Sequence, residues 1–579
     1  MTDAAAAIAA RRDALEARFP VWDEVTLGER LRRSAEEFGD RPFVIADDRT
    51  VSYHEVDAWA TRLADGLVAT GVQPGDRVGI IMANYLEFVP VKFAVARAEA
   101  IAIPFNYLYR QDELAYVLAQ SQCNVLISMT EFAGLDYQSM LDGIAPGWES
   151  GDCNALPDLR QVILFPTGDV EPRPGVMTLA ELDAHGLANV GAAEQSVVAP
   201  NDVGDILYTS GTTGSPKGVM VTHDGILRTG YSSALTRAFE DGRRVLFSLP
   251  CYHMFGLVEG LLAVMFVGGA IIPRTSFSPA DYFAGIEAHK ANDILAVPTM
   301  TVGLLEHPDR KTRDLSSLRA ILSGAAPAPT WVWERAETEL GLTEVTTGYG
   351  MTECGGATTL TLPEDPLVMH TTTVGREKLA GKAAAPGMNG NHAHYSTADP
   401  ETGELLPEGA EGELISRGPS HMVGFWAKPE ETALALRDGW VYSGDLGVVR
   451  PDGYLELTGR TKELYKSGGE LVMPIEIEEL AVGHAAVSQA FAVGVPDDQW
   501  GEVGWLIAVA DSTTEVDHEV AAAELIALCR DKLARFKVPK RVVFVEAADL
   551  PTTPTGKVQK YRLVDQAVAG TLGAADSHG

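Results

Sequence analysis

The chain is poor in positive charge. Its 579 residues include 46 lysines and arginines against 80 aspartates and glutamates, which gives a formal net charge of −34. Proteins that bind nucleic acid usually present a basic surface to the phosphates, so this balance argues against a nucleic-acid partner. A site for anionic substrates would have to supply its own local cations.

Cysteine is scarce as well. There are five cysteines, and no two of them form a C-x-x-C pair. An odd number of scattered cysteines is not typical of a disulfide framework or of a zinc site, and it favours a reducing, cytoplasmic location.

Long apolar runs are also lacking. The most apolar stretch, residues 257–273, is 17 residues long, contains Glu259 and is interrupted by Gly268 and Gly269. A membrane-spanning helix needs roughly 20 residues, so we predict a buried helix followed by a strand and no integral membrane span. The N-terminus lacks the basic-then-apolar order of a secretion signal.

Short runs of Val, Ile and Leu alternate with helical patterns through the first half of the chain. The clearest runs are residues 76–84, 124–128, 161–166, 244–250 and 293–298. This alternation predicts an α/β fold with doubly wound, parallel sheets.

The length is too great for one hydrophobic core, so we expect at least two domains. We predict a large N-terminal domain over residues 1–460, whose closer turns from about 360 to 460 indicate a β-rich subdomain. Residues 461–579 are typical of a small, mobile α+β domain. Its Ala- and Gly-rich end is predicted to be a disordered tail from about residue 567.

One loop has a composition that is typical of a phosphate-binding loop, although a Gly/Ser/Thr-rich surface turn would have similar residues. The string YTSGTTGSPKG, from Tyr208 to Gly218, follows a predicted strand at residues 204–210. Its glycines let backbone N–H groups approach an anion, its hydroxyls are further donors, and Lys217 adds a positive charge. It does not match the common phosphate loop, in which the lysine follows a glycine and precedes Ser or Thr.

The loop resembles the signature of the adenylate-forming (AMP-binding) superfamily, which includes acyl-CoA synthetases, adenylation domains of peptide synthetases and luciferases. Other segments agree with that family in order and spacing, over about residues 26–565. The strong matches are GYGMTE (348–353), YSGDLG (442–447), GRTKELYKSGGE (459–470) and PTTPTGKVQK (551–560). The weaker ones are PCYHMFG (250–256), SGAAP (323–327) and GELISRGP (412–419).

The resemblance implies binding of ATP, Mg²⁺ and coenzyme A. Around the β- and γ-phosphates it places Thr209, Ser210, Gly211, Thr212, Thr213, Gly214 and Lys217, with Thr352 at a phosphate. Around the adenine it places Gly324, Ala325, Ala326, Gly348 and Tyr349, and at the ribose Asp445 and Arg460. Thr209 and Glu353 correspond to the positions that hold the metal ion, and oxygen ligands suit Mg²⁺.

In the C-terminal part the resemblance makes Lys557 the lysine that acts in adenylation, with Glu353, Lys217 and Thr209 as the other catalytic positions. Lys462 corresponds to a hinge about which the small domain rotates between the two half-reactions. Lys466, Gly468 and Gly469 are cofactor-binding positions, the two glycines beside the pantetheine arm. Lys560 is expected to be an ordinary surface charge.

His253, Met254 and Phe255 are expected to line the acyl pocket. Fatty, aryl and alicyclic acids all remain open as substrates, because the pocket is assembled from distant segments. A basic cluster lies near the end of the chain, and we predict that it attracts the phosphates of coenzyme A. Its members are Arg530, Lys532, Arg535, Lys537, Lys540 and Arg541.

Two features depart from the family pattern. Residues 377–398 are longer and richer in Gly, Ala and His than the corresponding turn, and we predict a surface insertion there. His392 and His394 alone are too few ligands to indicate a metal site. Leu471 stands where relatives often have a polar residue.

The sequence therefore predicts a carboxylic acid:CoA ligase, which forms acyl-AMP with release of pyrophosphate and then acyl-CoA with release of AMP. Three alternatives stay open: an enzyme that loads a separate carrier protein, a luciferase-like oxygenase and a degenerate binding protein. A homodimer is also an open prediction.

Overall fold

The computed structural model describes residues 3–151, 153–194, 197–209, 216–325, 328–460, 463, 465–467, 470–497, 500–511, 517–533, 535–552 and 558–572. The chain divides into two compact units. Unit 1 is Met1–Tyr395 with Ser416–Tyr442, and unit 2 is Ser396–Ile415 with Ser443–Gly579. The predicted boundary between a large domain, 1–460, and a small mobile domain, 461–579, describes which part of the chain would rotate. It stays a prediction.

Unit 1 contains two seven-stranded sheets. In spatial order, the strands of the first sheet are Glu344–Thr346, Ala320–Ser323, Asp293–Ala296, Arg244–Phe247, Ala270–Pro273, Pro42–Ile45 and Thr50–Ser52. Neighbouring strands run parallel except in the terminal hairpin, where Ile45 pairs with Thr50.

The second sheet is mixed. Its strands, in spatial order, are Gly424–Phe425, Lys217–Thr222, Val203–Thr209, Ile101–Pro104, Arg77–Ile81, Val125–Met129 and Gln161–Phe165. The last five run parallel, and the first two are antiparallel additions. The predicted α/β fold is confirmed, and an antiparallel edge on a parallel sheet is common in such folds.

The helices of unit 1 are Asp3–Arg18, Leu27–Phe38, Tyr53–Ala69, Phe88–Arg97, Gln111–Gln120, Tyr137–Ile144, Leu179–Ala188, His223–Thr236, Pro279–His289, Pro298–Glu306, Thr330–Leu340, Leu367–Thr372 and Pro429–Ala435. Local sequence sets where several of them begin. The Ser52 side chain and Glu55 form a reciprocal capping box, and Thr222 accepts a hydrogen bond from the backbone N–H of Gly225. Such caps satisfy donors that the first turn leaves unpaired.

The apolar stretch 257–273 forms a buried π-helix, Phe255–Leu262, followed by the strand Ala270–Pro273. The predicted helix and strand are thus confirmed, with the wider π winding as an addition. Within the part of the chain that the structure describes, no helix is long and apolar enough to cross a membrane.

Smaller antiparallel elements follow in unit 1. A three-stranded sheet consists of Gly348–Met351, Gly356–Leu360 and Arg376–Glu377. The remaining short strands of this unit are Glu131–Phe132, Leu135–Asp136 and Leu436–Arg437. Three further strands are His394–Ala398, Gly412–Arg417 and Trp440–Val449. The close turns that the sequence shows after residue 360 do correspond to short antiparallel strands.

Unit 2 has its own α+β core. Its strands include Leu455–Arg460, Tyr465–Ser467, Glu470–Val472, Val487–Asp497, Gly501–Ala510 and Arg541–Val545. Its helices are Pro474–Val482, His518–Lys532 and Lys560–Ala569. The last helix extends to Ala569, and the disordered tail from about residue 567 stays a prediction, because residues 573–579 lie outside the described part. The helix ends where Gly570 adopts a left-handed φ of 70°.

The prediction that residues 377–398 form a surface insertion is wrong for Lys378 and His392, which lie near its two ends. The side chains of Lys378 and His392 are fully buried. Their backbones also pair, since the N–H of His392 donates to the carbonyl of Lys378 at 2.8 Å. Residues 378–392 therefore form a loop whose two ends are anchored in the core of unit 1.

Candidate active site

The candidate phosphate loop joins two antiparallel strands. Thr209 ends the strand Val203–Thr209, Lys217 begins the strand Lys217–Thr222, and the two residues are direct register partners. The ladder thus holds the two ends of the loop together. The predicted residues Ser210, Gly211, Thr212, Thr213 and Gly214 lie outside the described part of the chain.

The flanks of this hairpin are fixed by side chains from neighbouring elements. The Lys217 ammonium lies 5.2 Å from the ring centroid of Phe425, a cation–π contact that holds it at the strand edge. The Tyr116 hydroxyl donates to the carbonyl of Pro216 at 3.2 Å. The Tyr208 hydroxyl donates to Gln120. Both flanks of the loop are therefore held by contacts with neighbouring elements.

A buried ion pair joins the strand that leads to the loop, Val203–Thr209, to the helix Phe88–Arg97. Lys92 Nζ is 2.9 Å from Asp205 Oδ1, and both side chains are almost fully buried. Burial raises the pKa of Asp205, and the charge of Lys92 opposes that shift. Sequence reasoning missed this pair because Lys92 lies within an apolar helical pattern.

The segments predicted to bind the adenine and the metal ion lie next to one another. A β-carbon built on Gly324 would lie 3.6 Å from the carbonyl oxygen of Gly348. Tyr349 follows Gly348 and is half-buried. Ala325 adopts a φ of 71°, a left-handed conformation that is strained for a residue with a β-carbon. Such strain is concentrated at ligand-binding sites.

Thr352 and Glu353 lie on a 3₁₀ turn, Thr352–Cys354. Thr352 is buried, whereas Glu353 is half-buried. The turn is fixed by its backbone, because the carbonyl of Glu353 accepts from the N–H of Met422 at 2.8 Å and the carbonyl of Cys354 accepts from Ser420 Oγ at 2.8 Å.

The predicted pocket residues adjoin these segments. The β-carbon built on Gly324 lies 4.0 Å from Phe255 Cζ, and one built on Gly356 lies 3.6 Å from Met254 Cβ. His253 accepts a hydrogen bond at Nδ1 from the N–H of Phe255 at 3.3 Å. Burial lowers the pKa of His253, so the ring is a neutral group with its proton on Nε2.

In unit 2, the two predicted ribose residues are also neighbours. Asp445 and Arg460 are register partners on antiparallel strands, and Asp445 is buried. Lys466 lies on the strand Tyr465–Ser467. The predicted positions Ala326, Lys462, Gly468, Gly469 and Lys557 lie outside the described residues.

The expectation for Lys560 is wrong. Its ammonium lies 2.6 Å from Glu463 Oε2 and 2.7 Å from Glu478 Oε1, and its side chain is only 17% exposed. Burial alone would lower the pKa of Lys560, but the charges of Glu478 and Glu463 raise it above its usual value. Lys560 therefore ties the start of the last helix to a residue of the GRTKELYKSGGE segment.

Replacing Lys560 with methionine is expected to destabilise unit 2 by about 1–3 kcal/mol, because two half-buried carboxylates lose their shared cation. Urea unfolding followed by a fluorescent probe in unit 2 would measure this loss. The control is Lys560→Arg, which keeps the charge and should lose much less. Equal midpoints for Lys560→Met and the wild type would contradict the assignment.

Comparison with known proteins identifies the family. A profile described as AMP-binding enzyme matches residues 31–426, and one described as AMP-binding enzyme C-terminal domain matches residues 476–557. The chain belongs to the AMP-binding enzyme family. The resemblance stated from the motifs is thereby confirmed.

The relatives of this AMP-binding enzyme include CoA ligases for different acids. It is 36% identical to a Mycobacterium tuberculosis propanoyl:CoA ligase whose acyl group carries a 7a-methyl-1,5-dioxo-octahydro-1H-inden-4-yl ring, over 92% of this chain and 97% of that protein. It is 33% identical to a feruloyl-CoA synthase of Amycolatopsis sp, over 88% of this chain and 92% of that protein.

Among solved structures, this AMP-binding enzyme is similar to ATP-bound MatB from Rhodopseudomonas palustris. The TM-score is 0.79 at 27% identity, and the match covers 94% of this chain and all of MatB.

Proposed function

We propose that this AMP-binding enzyme is an ATP-dependent carboxylic acid:CoA ligase. The observation that carries the proposal is the juxtaposition within unit 1 of Gly324, Gly348 and Phe255, which brings the adenine and acyl segments together. CoA ligases among its relatives support the same reaction.

The chemistry requires the approach of two anions. A carboxylate oxygen attacks the α-phosphorus of ATP, the bond to the β-phosphate oxygen breaks, and pyrophosphate leaves. The thiol of coenzyme A then attacks the acyl carbonyl, and AMP leaves. Two like charges 4 Å apart repel by about 4 kcal/mol at an effective dielectric of 20, so fixed cations and N–H dipoles have to offset this repulsion.

In this proposal, Lys217 and the loop that precedes it bind the β- and γ-phosphates, which leave as pyrophosphate. The pairing of Thr209 with Lys217 keeps the two ends of that loop together. Tyr349 stacks on the adenine, Thr352 reaches a phosphate, and Asp445 with Arg460 binds the ribose. Lys557 contacts the attacking carboxylate and the α-phosphate. Rotation about Lys462 would bring coenzyme A to the site with Lys466, Gly468 and Gly469.

We also propose that Thr209 and Glu353 hold Mg²⁺. Within the described residues, no group of three or more His, Cys, Asp or Glu side chains could form a metal site. A half-buried carboxylate and a hydroxyl suit a hard cation that takes most of its ligands from phosphate oxygens and water. The ion would neutralise charge on the phosphates.

For the acid we propose a carboxylate with a bulky apolar body, of the fatty, aryl or alicyclic classes, because Met254 and the π-helix that begins at Phe255 are buried apolar surfaces. The proposed compartment is the cytoplasm, since all five cysteines are free thiols. The homodimer remains a proposal, as does the absence of a nucleic-acid partner, which rests on the net charge of −34.

A mass-spectrometric product scan tests the function. The protein is incubated with ATP, Mg²⁺, coenzyme A and a pool of carboxylic acids, with parallel samples that lack coenzyme A. Acyl-CoA with AMP supports the ligase and names the preferred acid. Acyl-AMP without thioester would favour a carrier-protein loader or an oxygenase, and formation of ADP would contradict the proposal.

The basic cluster gives a prediction about coenzyme A. Lys540 Nζ lies 5.3 Å from the centroid of the Trp500 ring, which is 38% exposed, whereas Lys537 is paired with Glu476 at 2.6 Å. Reversing the charge of Lys537 or Lys540 should raise the KM for coenzyme A. Lys540→Glu is the sharper variant, with an expected rise of about two- to tenfold, or roughly 0.4–1.4 kcal/mol.

The matched control for Lys540→Glu is Lys290→Glu, since Lys290 lies outside the cluster, is 53% exposed and is already 2.9 Å from Asp314. Steady-state kinetics with coenzyme A as the varied substrate would measure both variants. An unchanged KM in Lys540→Glu would remove the cluster from the coenzyme A site.

A further inference from the structure

His392 lies at the centre of a buried polar cluster that the family motifs do not include. Its ring is fully buried in unit 1. Its Nε2 lies 2.9 Å from Ser420 Oγ and 3.2 Å from Thr229 Oγ1, and its Nδ1 lies 3.2 Å from Ser232 Oγ. Three hydroxyls on two separate segments thus converge on one imidazole.

The hydrogen bonds of the neighbours fix where the imidazole proton lies. Ser420 Oγ donates its own hydrogen to the carbonyl of Cys354, and Thr229 Oγ1 donates to the carbonyl of Gly225 at 3.1 Å. Both hydroxyl oxygens are therefore left as acceptors toward His392. The Nε2 atom must carry the proton, and Nδ1 accepts from Ser232.

The electrostatic surroundings agree with this neutral ring. Burial lowers the pKa of His392 well below its usual value, and the nearby cations Lys378 and Arg228 act in the same direction. A neutral His392 is both a donor and an acceptor, which is what the cluster requires.

The cluster leads directly to the turn that carries Glu353. Ser420 connects the imidazole to the carbonyl of Cys354, the residue after Glu353. On the other side, Thr229 and Ser232 belong to the helix His223–Thr236, which is buried over its whole length. His392 therefore links the short Thr352–Cys354 turn to a fully buried helix of unit 1.

We infer that His392 is a positioning residue that holds the Glu353 turn, through Ser420, in the geometry that Mg²⁺–ATP requires. The inference rests on the proposed function, because it takes Glu353 as a metal ligand. It also gives a role to the 377–398 segment, which supplies this side chain from the end of its loop.

The experiment compares His392→Phe, His392→Gln, Ser420→Ala and Glu353→Gln with the full-length wild type. Phenylalanine replaces the imidazole with an aromatic ring that forms no such hydrogen bonds, whereas glutamine supplies an amide donor and a carbonyl acceptor. The readouts are the Mg²⁺ concentration for half-maximal acyl-AMP formation, the rate of thioester formation from supplied acyl-AMP, and the melting temperature. His394→Phe is the matched control, because the His394 side chain is 49% exposed on the same segment.

We expect His392→Phe and Ser420→Ala to raise the half-maximal Mg²⁺ concentration about tenfold and to leave thioester formation within about twofold of the wild type. His392→Gln should recover part of the difference, and His394→Phe should show none. Ser420→Ala removes one oxygen atom only and tests the link even if His392→Phe does not fold.

Two results would overturn the inference, and they are distinguishable. If Glu353→Gln raises the Mg²⁺ requirement while His392→Phe and Ser420→Ala do not, or if these two slow both half-reactions equally, His392 has a structural role only and the proposed function stands. If Glu353→Gln itself leaves the Mg²⁺ requirement unchanged, the proposed metal site falls and the inference falls with it.

Discussion

Replacing Lys557 with alanine is expected to abolish acyl-AMP formation and to spare thioester formation from supplied acyl-AMP. In the proposed mechanism, this lysine is the cation that meets both the carboxylate and the α-phosphate. Loss of one such group from a transition state typically costs a factor of about 100–1,000 in rate. The second half-reaction uses coenzyme A and the preformed adenylate, so it does not need that cation.

The two half-reactions are measured separately, as pyrophosphate release from ATP and acid and as thioester formation from synthetic acyl-AMP. Lys290→Ala is the control, because it removes a lysine that lies outside the predicted site and whose side chain is 53% exposed. Equal losses in both half-reactions of Lys557→Ala would refute the assigned role.

The largest effect on stability is expected for Lys378→Met. Lys378 Nζ lies 2.6 Å from Glu259 Oε1 and 2.6 Å from Ser233 Oγ, and neither charged side chain is exposed by more than 1%. Removing the lysine leaves a buried carboxylate without its cation, which typically costs about 3–5 kcal/mol. Chemical unfolding monitored by two probes would measure the loss.

A double variant separates the charge from the packing. Glu259→Leu with Lys378→Met removes both charges, and paired removal of this kind is often neutral or stabilising. We expect the double variant to unfold at a denaturant concentration near that of the wild type. If it is as unstable as Lys378→Met, the loss comes from packing and the ion pair is not the cause.

Much of the fold could be predicted because local patterns determine it. The runs that become the strands Arg77–Ile81, Val125–Met129 and Asp293–Ala296 are short and mostly apolar, and such runs between turn residues are typical of buried parallel strands. The candidate phosphate loop is likewise visible in the sequence, since its glycines, hydroxyls and lysine lie close together, and its role stays a prediction. Thr209 and Lys217, which flank it, are register partners on antiparallel strands.

The polar groups in the core could not be predicted in this way. His392 and Lys378 lie in a segment without strand or helix periodicity, and their partners Ser232 and Glu259 are more than 100 residues away in the chain. Lys560 looks solvated in sequence, yet its partners Glu463 and Glu478 are brought to it by the tertiary structure. Nothing local distinguishes a paired buried charge from a solvated one.

The π winding of Phe255–Leu262 affects how the pocket could diversify. A π-helix accommodates an extra residue in its turn, so deleting one residue between Phe255 and Glu259 would restore α-helical winding. Because the wide turn takes up the extra residue, the side chains before and after the deletion would keep nearly the same angular positions about the axis. Lys378 anchors Glu259 in this helix, so loss of a single codon would narrow the helix beside the proposed acyl pocket without changing which flanking side chains face it.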